Sequence, residues 1–186
     1  HAPDAGLVPA STAKILTAVA ALTALDPDAT LATRVVRVDE GAIALVGGGD
    51  MMLAAGAGDP GATHGRAGLA DLAARTASAL ALQGVTSVRL VVDDSLFTGP
   101  AVSPAWHPAN VGEGFVAPVT ALAVDVGRLR EGEYAPRSTD PSIQAATIFA
   151  KRLAEAGVSV QGDPARVSSA GDGAELARVE SAPVVD

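Results

Sequence analysis

Ser11 and Lys14 are the pair in this chain best placed to do chemistry together. They stand in the run Pro9-Ala10-Ser11-Thr12-Ala13-Lys14, just where apolar residues begin to recur at helical spacing as Ile15, Leu16, Val19, Ala20 and Leu22. Residues three apart share a helix face, so the Lys14 amine can stand beside the Ser11 hydroxyl. A serine hydroxyl is a poor nucleophile until a base takes its proton. A lysine desolvated among apolar neighbours gives up its own proton more easily and can serve as that base. The start of a helix adds unpaired N–H groups that favour a developing oxyanion. On spacing alone, a serine or a neighbour capping the first turn beside a solvated lysine is the plainer reading. Asp93 and Asp94 stand at the end of a buried-looking strand. The plain reading there is a solvated strand end.

Other chemistries have less support. Cysteine is absent, which removes disulfides, thiolate metal sites and cysteine nucleophiles. His1, His64 and His107 are scattered and show no metal-ligand spacing, so no metal and no organic cofactor are expected. His64 reads as a surface-loop residue. Trp106 reads as a packing anchor. Thirteen basic against twenty-one acidic residues give a formal charge of -8, which argues against a nucleic-acid partner. Gly56-Ala57-Gly58-Asp59-Pro60-Gly61 matches the Gly-x-Gly-x-x-Gly spacing of dinucleotide-binding turns. The helix after it starts too late to aim its N–H groups at a pyrophosphate, and Asp59 would put a negative charge there. The acidic residue closing the next strand also lies well beyond the expected ~20 residues. A glycine-rich turn is the better reading.

The elements that must position these residues follow from pattern. The first helix ends at Asp26-Pro27. Arg34 to Val38 and Ala42 to Val46 read as strands joined at Asp39-Glu40-Gly41. A glycine-rich segment spans residues 47–61. Leu69, Leu72, Ala73, Thr76 and Leu80 mark a second helix that stops at Gly84. Val88 to Val92 is a short strand. Pro100, Pro104, Pro108 and Pro118 make a loop, and Leu122 to Val126 a further strand. Asp140 caps a third helix that Pro141 begins and Gly157 ends. Strands near Val158 to Val160, Arg166 to Ser168 and Leu176 to Val179 complete a mixed α/β chain. No run reaches the roughly 18 apolar residues of a membrane span. His1-Ala2-Pro3 reads as an internal or processed start.

The run from Pro9 to Ala18 resembles the active-site segment of penicillin-binding proteins. It is most similar to D-alanyl-D-alanine carboxypeptidases of the penicillin-binding-protein-4 type, peptidase family S13. Leu45-Val46-Gly47-Gly48-Gly49-Asp50 resembles that family's Gly-Gly-Gly-Asp segment. Val92-Asp93-Asp94-Ser95-Leu96-Phe97, Pro104-Ala105-Trp106, Val116 to Arg128 and the helix from Pro141 to Gly157 are similar to later landmarks in the same order.

The resemblance implies part of a β-lactamase/transpeptidase-like catalytic domain with an inserted α/β region. Residues 1–27 would carry the Ser-x-x-Lys helix, and 28–186 would be mostly insertion, returning toward the catalytic domain near the end. It implies that Ser11 attacks the penultimate D-Ala carbonyl of a peptidoglycan stem peptide, in a carboxypeptidase or an endopeptidase acting on crosslinks. Lys14 would be the base, and β-lactams would trap Ser11. Asp93 would stand near a substrate ammonium, with Phe97 lining the same pocket. An extracytoplasmic location follows from the substrate. The family's Ser-x-Asn and Lys-Thr-Gly motifs do not occur in this sequence, and Lys151 is followed by Arg152 and Leu153. The chain begins ten residues before Ser11 and stops at Asp186, where the helix leading to the Ser-x-Asn motif is expected. The resemblance therefore implies that this chain is inactive alone and has as partner the remainder of its own chain or a complementary chain. A wall-binding module that kept the fold and lost the chemistry is the alternative. Met51-Met52 departs from the family pattern.

Overall fold

The computed structural model describes residues 6–186. Its elements are α1 (Ala13–Ala24), β1 (Ala32–Asp39), β2 (Ala42–Val46), β3 (Asp50–Leu53), α2 (Leu69–Ala81), β4 (Ser87–Asp93), β5 (Leu122–Val124), α3 (Pro141–Glu155), β6 (Ser159–Val160), β7 (Ala165–Val167) and β8 (Glu175–Glu180).

The main sheet has the order β6-β4-β2-β1-β8, with β7 also paired to β4. β1 runs antiparallel to β2 and β8, while β2, β6 and β7 run parallel to β4. The β1–β2 hairpin turns through Gly41, whose φ of 95° lies in the left-handed region that glycine enters without strain. Side chains alternate across the sheet. Val35, Ile43, Leu45, Leu90 and Val92 face α2 and α3 in one continuous core, with Leu72, Leu80, Phe149 and Leu153. Val36 and Ala44 face the other way and meet Ala170 in a smaller cluster.

Local chemistry explains the best-defined helix. The Asp140 carboxylate accepts the Ile143 N–H at 3.2 Å, Pro141 opens the first turn, and Gly157 follows the last with φ of 91°. The glycine-rich segment is built differently from expectation. Residues 50–53 form β3, which pairs in parallel with β5. The expected strand from Leu122 stops at Val124, because Asp125 and Val126 take φ of 46° and 53°. Two backbones cross at Gly58 and Gly68, where a Cβ on either would lie 2.1 Å from backbone atoms of the other segment. The Gly58 N–H donates to Asp71 of α2 at 2.7 Å. That crossing accounts for these glycines without a dinucleotide.

α1 stands apart. It buries none of its residues, and Ile15, Leu16, Val19 and Leu22 are all exposed. The segment after it does not stand alone. The N–H groups of Ser181, Val184 and Val185 donate to the carbonyls of Leu31, Ala29 and Pro27, so residues 181–185 return beside residues 27–31. A helix of twelve residues without packing is marginal in water. In this 186-residue chain the amides of α1 should therefore exchange at nearly unfolded rates, while those around Phe149 in α3 exchange only on global opening. Hydrogen exchange read by mass spectrometry checks this. Equal protection of both helices would show that α1 is held by contacts other than those described.

Candidate active site

Ser11 lies in the single 3-10 turn Ala10–Thr12 that leads into α1, and both Ser11 and Lys14 are exposed. Ala10, immediately before Ser11, has φ of 46°, a strained value for a residue with a Cβ. The expected serine cap is not formed. The Thr12 hydroxyl turns back onto the Pro9 carbonyl, and no side chain caps α1. Lys14 is also not desolvated, because the apolar residues of α1 point to solvent rather than enclosing it.

The second cluster is built at the C-terminal end of β4. Asp93 is only 7% exposed, and its carboxylate accepts the N–H of Ser95 at 3.0 Å and of Ala170 at 2.6 Å. Burial pushes this carboxyl up, but the hydrogen bonds from Ser95 and Ala170 outweigh it and hold it below the usual carboxylate value. Asp93 thus fastens the end of β4 to the 167–171 segment. It is the neighbouring Asp94 that reaches the wall of a cavity of about 370 Å³, together with Phe97, Thr120, Thr139, Asp140 and Arg166. Asp93 is the last residue of β4 and is held by the segment beside the strand, whereas Asp94 lies one residue beyond the strand end. Phe97 lines this cavity, and Asp93, expected in the same pocket, does not. Ser11 and Lys14 do not.

Arg166 binds both cavity carboxylates. Its Nε donates to Asp94 at 2.9 and 3.0 Å, its Nη2 to Asp94 and Asp140 at 2.9 Å each, and its Nη1 to Asp140 at 3.2 Å. Burial raises the Asp94 carboxyl, and the bonds from Arg166 and Ser142 reverse this and hold it low. The Asp94 and Asp140 hydrogen bonds in turn raise Arg166 above its ordinary value. Nothing in the linear sequence marks Arg166, because its partners lie 72 and 26 residues away. Elsewhere, Met51 and Met52 line an apolar pocket with Leu25, Leu31, Pro183 and Val184, which accounts for two flexible apolar side chains at that place. His64 sits in a loop and meets the Asp125 carboxylate at 2.9 Å.

These shifts carry a pH dependence. Asp93 and Asp94 have folded-state pKa values below their ordinary 3.8. The stability they contribute is complete above that value and is lost as pH falls through the lower folded-state values. Asp50 has the opposite sign: burial raises its carboxyl, with the Met52 N–H only partly offsetting this, so its protonation on acidification favours the fold. Asp94→Asn should therefore flatten the fall in melting temperature between pH 5 and pH 3, and Asp50→Asn should steepen it. Thermal unfolding across that range checks both signs.

The family model described as "D-Ala-D-Ala carboxypeptidase 3 (S13) family" matches residues 1–135, which include Ser11, Lys14, Asp93 and Phe97. This chain belongs to the D-Ala-D-Ala carboxypeptidase S13 family. A carboxypeptidase of Mycobacterium tuberculosis is 41% identical over 98% of this chain and 39% of its own length. Carboxypeptidase DacB of Mycolicibacterium smegmatis is 36% identical over 96% of this chain and 38% of its own. The S13 chain thus spans about two fifths of the curated relatives it matches. Its fold is that of penicillin-binding protein 4 from Haemophilus influenzae, with a TM-score of 0.65 at 20% identity over 96% of this chain and 52% of that one. A structure of the same protein complexed with a β-lactam matches with a TM-score of 0.51 at 20% identity, over 96% of this chain and 50% of that one.

Proposed function

We propose that this S13 chain is the nucleophile-bearing part of a serine D-Ala-D-Ala carboxypeptidase that acts on peptidoglycan stem peptides outside the cytoplasm. The observation that carries the reading is the family match across the Ser-x-x-Lys segment, with Ser11 and Lys14 at the entry to α1. Ser11 Oγ attacks the carbonyl carbon of the penultimate D-Ala as its proton passes to Lys14 Nζ. The tetrahedral intermediate collapses, its C–N bond breaks, and D-Ala leaves with a proton on its amine. Water then hydrolyses the Ser11 ester. The same attack on a β-lactam carbonyl opens the ring and leaves a slowly released acyl group on Ser11, and attack on a D-Ala crosslink is the endopeptidase form of the reaction.

Residues 1–27 belong in this reading to the catalytic domain, and residues 28–186 mostly to an insertion. Two observations support that division. The exposed apolar stripe of α1 suits a helix that packs against further protein. The pairing of residues 181–185 with 27–31 brings the two ends of the intervening unit together, as an insertion requires. Enclosure of α1 in that domain supplies the desolvation that Lys14 needs as a base. The Phe97 cavity is assigned to the substrate side chain, with Asp94 on its wall, while Asp93 fastens the end of β4 to the 167–171 segment.

The test is intact mass after incubation with a reactive penicillin, on this chain and on the full-length protein. An adduct on the full-length protein that maps to Ser11 is the expected result, with none on the 186 residues alone. No adduct on either would assign the protein to a wall-binding role without acyl transfer.

A further inference from the structure

We propose that the apolar pocket beside β3 is a binding site for an aliphatic ammonium ion, with the charged head on the Asp50 carboxylate and the carbon chain among Leu25, Leu31, Met51, Met52 and Val184. The pocket shares no lining residue with the Phe97 cavity. The inference does not depend on the acyl-transfer reading.

The pocket has a volume of about 330 Å³ and lies where residues 27–31 and 181–185 pair beside the start of β3. The Ser181 hydroxyl accepts the Leu31 N–H at 2.9 Å and donates its one proton to the Ala182 carbonyl at 2.6 Å, which fixes this wall. Most of the lining is apolar side chain, and Leu25 and Met52 stay exposed to water. A hydrocarbon chain lying on them removes that surface from water. The two unbranched methionines can adapt to its shape.

Charge decides the head group. Asp50 and Asp186 are the charged residues that line the pocket, and both are carboxylates. Asp50 is only 3% exposed. Its Oδ1 accepts the Met52 N–H at 2.7 Å, while its Oδ2 has no hydrogen-bond partner among the described residues and is not sealed from solvent. Burial raises this carboxyl more than the Met52 N–H and nearby His64 lower it, so its desolvation is only partly offset within the chain. An ammonium group at Oδ2 supplies the missing opposite charge and a charge-assisted hydrogen bond. A carboxylate head would meet two like charges, and a hydroxyl would gain the hydrogen bond without the charge. A metal ion fits less well, because it needs several ligands and no group of three metal-binding side chains is present among the described residues. Asp186 is a weaker anchor. It is half exposed and already has Arg66 at 3.8 Å.

The experiment titrates the full-length protein, carrying isotope-labelled methionine methyl groups, with n-octylamine, n-octanol and octanoate. Met51 and Met52 are the two methionines of the 186 residues and both line the pocket, so Met51→Leu and Met52→Leu identify their signals. n-Octylamine should shift both signals saturably, with a Kd at least about tenfold below that of n-octanol, and octanoate should bind more weakly still. Asp50→Asn should weaken n-octylamine about tenfold and leave n-octanol within about threefold, which also reports that the variant is folded. Asp186→Asn should cost n-octylamine less than about threefold. Equal affinity for n-octylamine and octanoate overturns the assignment. So does an affinity for n-octylamine that Asp50→Asn does not lower, or one that only Asp186→Asn lowers. The order of the three probes on wild-type protein decides the matter by itself if Asp50→Asn fails to fold. Methyl signals that no probe shifts saturably also overturn the assignment, and would show that further protein fills the pocket.

Discussion

Ser11→Ala in the full-length protein should abolish covalent labelling by penicillin and lower D-Ala release by at least about three orders of magnitude, because no other oxygen replaces the one that forms the ester. The loss should appear in kcat, with binding of the stem peptide largely kept, since Ser11 contributes to the bond being made more than to recognition. Lys14→Ala should slow acylation by roughly two to four orders of magnitude, the usual effect of losing a positioned base. The two changes should be far from additive. Without the nucleophile the base has nothing to activate, so the double variant should match Ser11→Ala. Labelling that survives in Ser11→Ala would falsify the nucleophile assignment. Near-normal acylation in Lys14→Ala would move the base elsewhere, since the two side chains are three residues apart at the entry to one helix and neither is buried by the rest of this chain. Stopped-flow acylation and intact mass separate these outcomes.

Phe149→Ala should destabilise the α/β unit by about 3–5 kcal/mol, and so lower its melting temperature by roughly 10 °C. The chain has five aromatic residues by its composition of three Phe, one Trp and one Tyr. Phe97, Trp106, Phe115 and Tyr134 are exposed, so Phe149 is the one aromatic that fills the core between α3, α2 and the sheet. Its neighbours there include Ala73, Ala77, Ala145 and Ala146. These small side chains have no rotamers with which to close a cavity, so the hole left by the ring should stay open. Leu82→Ala is the matched control. Leu82 is 91% exposed just after α2, and its loss should change stability by less than about 0.5 kcal/mol. Denaturant unfolding of both variants checks the contrast. A Phe149→Ala cost near that of Leu82→Ala would mean that the core can collapse around the gap.

The sequence by itself determined what short-range chemistry controls. Asp140, Pro141 and Gly157 mark the ends of α3 because capping, fixed φ and the left-handed exit are properties of a few adjacent residues. β1, β2 and α2 follow from apolar alternation and helical spacing, and the Ser-x-x-Lys run is a local pattern on one turn. Tertiary structure decided the rest. β3 exists because its polar and apolar residues find β5 some seventy residues later. The apolar stripe of α1 reads as a core face, yet within this chain it meets solvent, because periodicity shows that a face exists and not what covers it. Asp93 and Asp94 are neighbours in sequence with opposite roles, one sealed against backbone amides and one on the cavity wall. That difference depends on where the strand ends and which segment packs beside it. Arg166 was not legible at all. Its importance comes from two carboxylates that β4 and α3 carry to it, and a through-space ion pair leaves no trace in the order of residues.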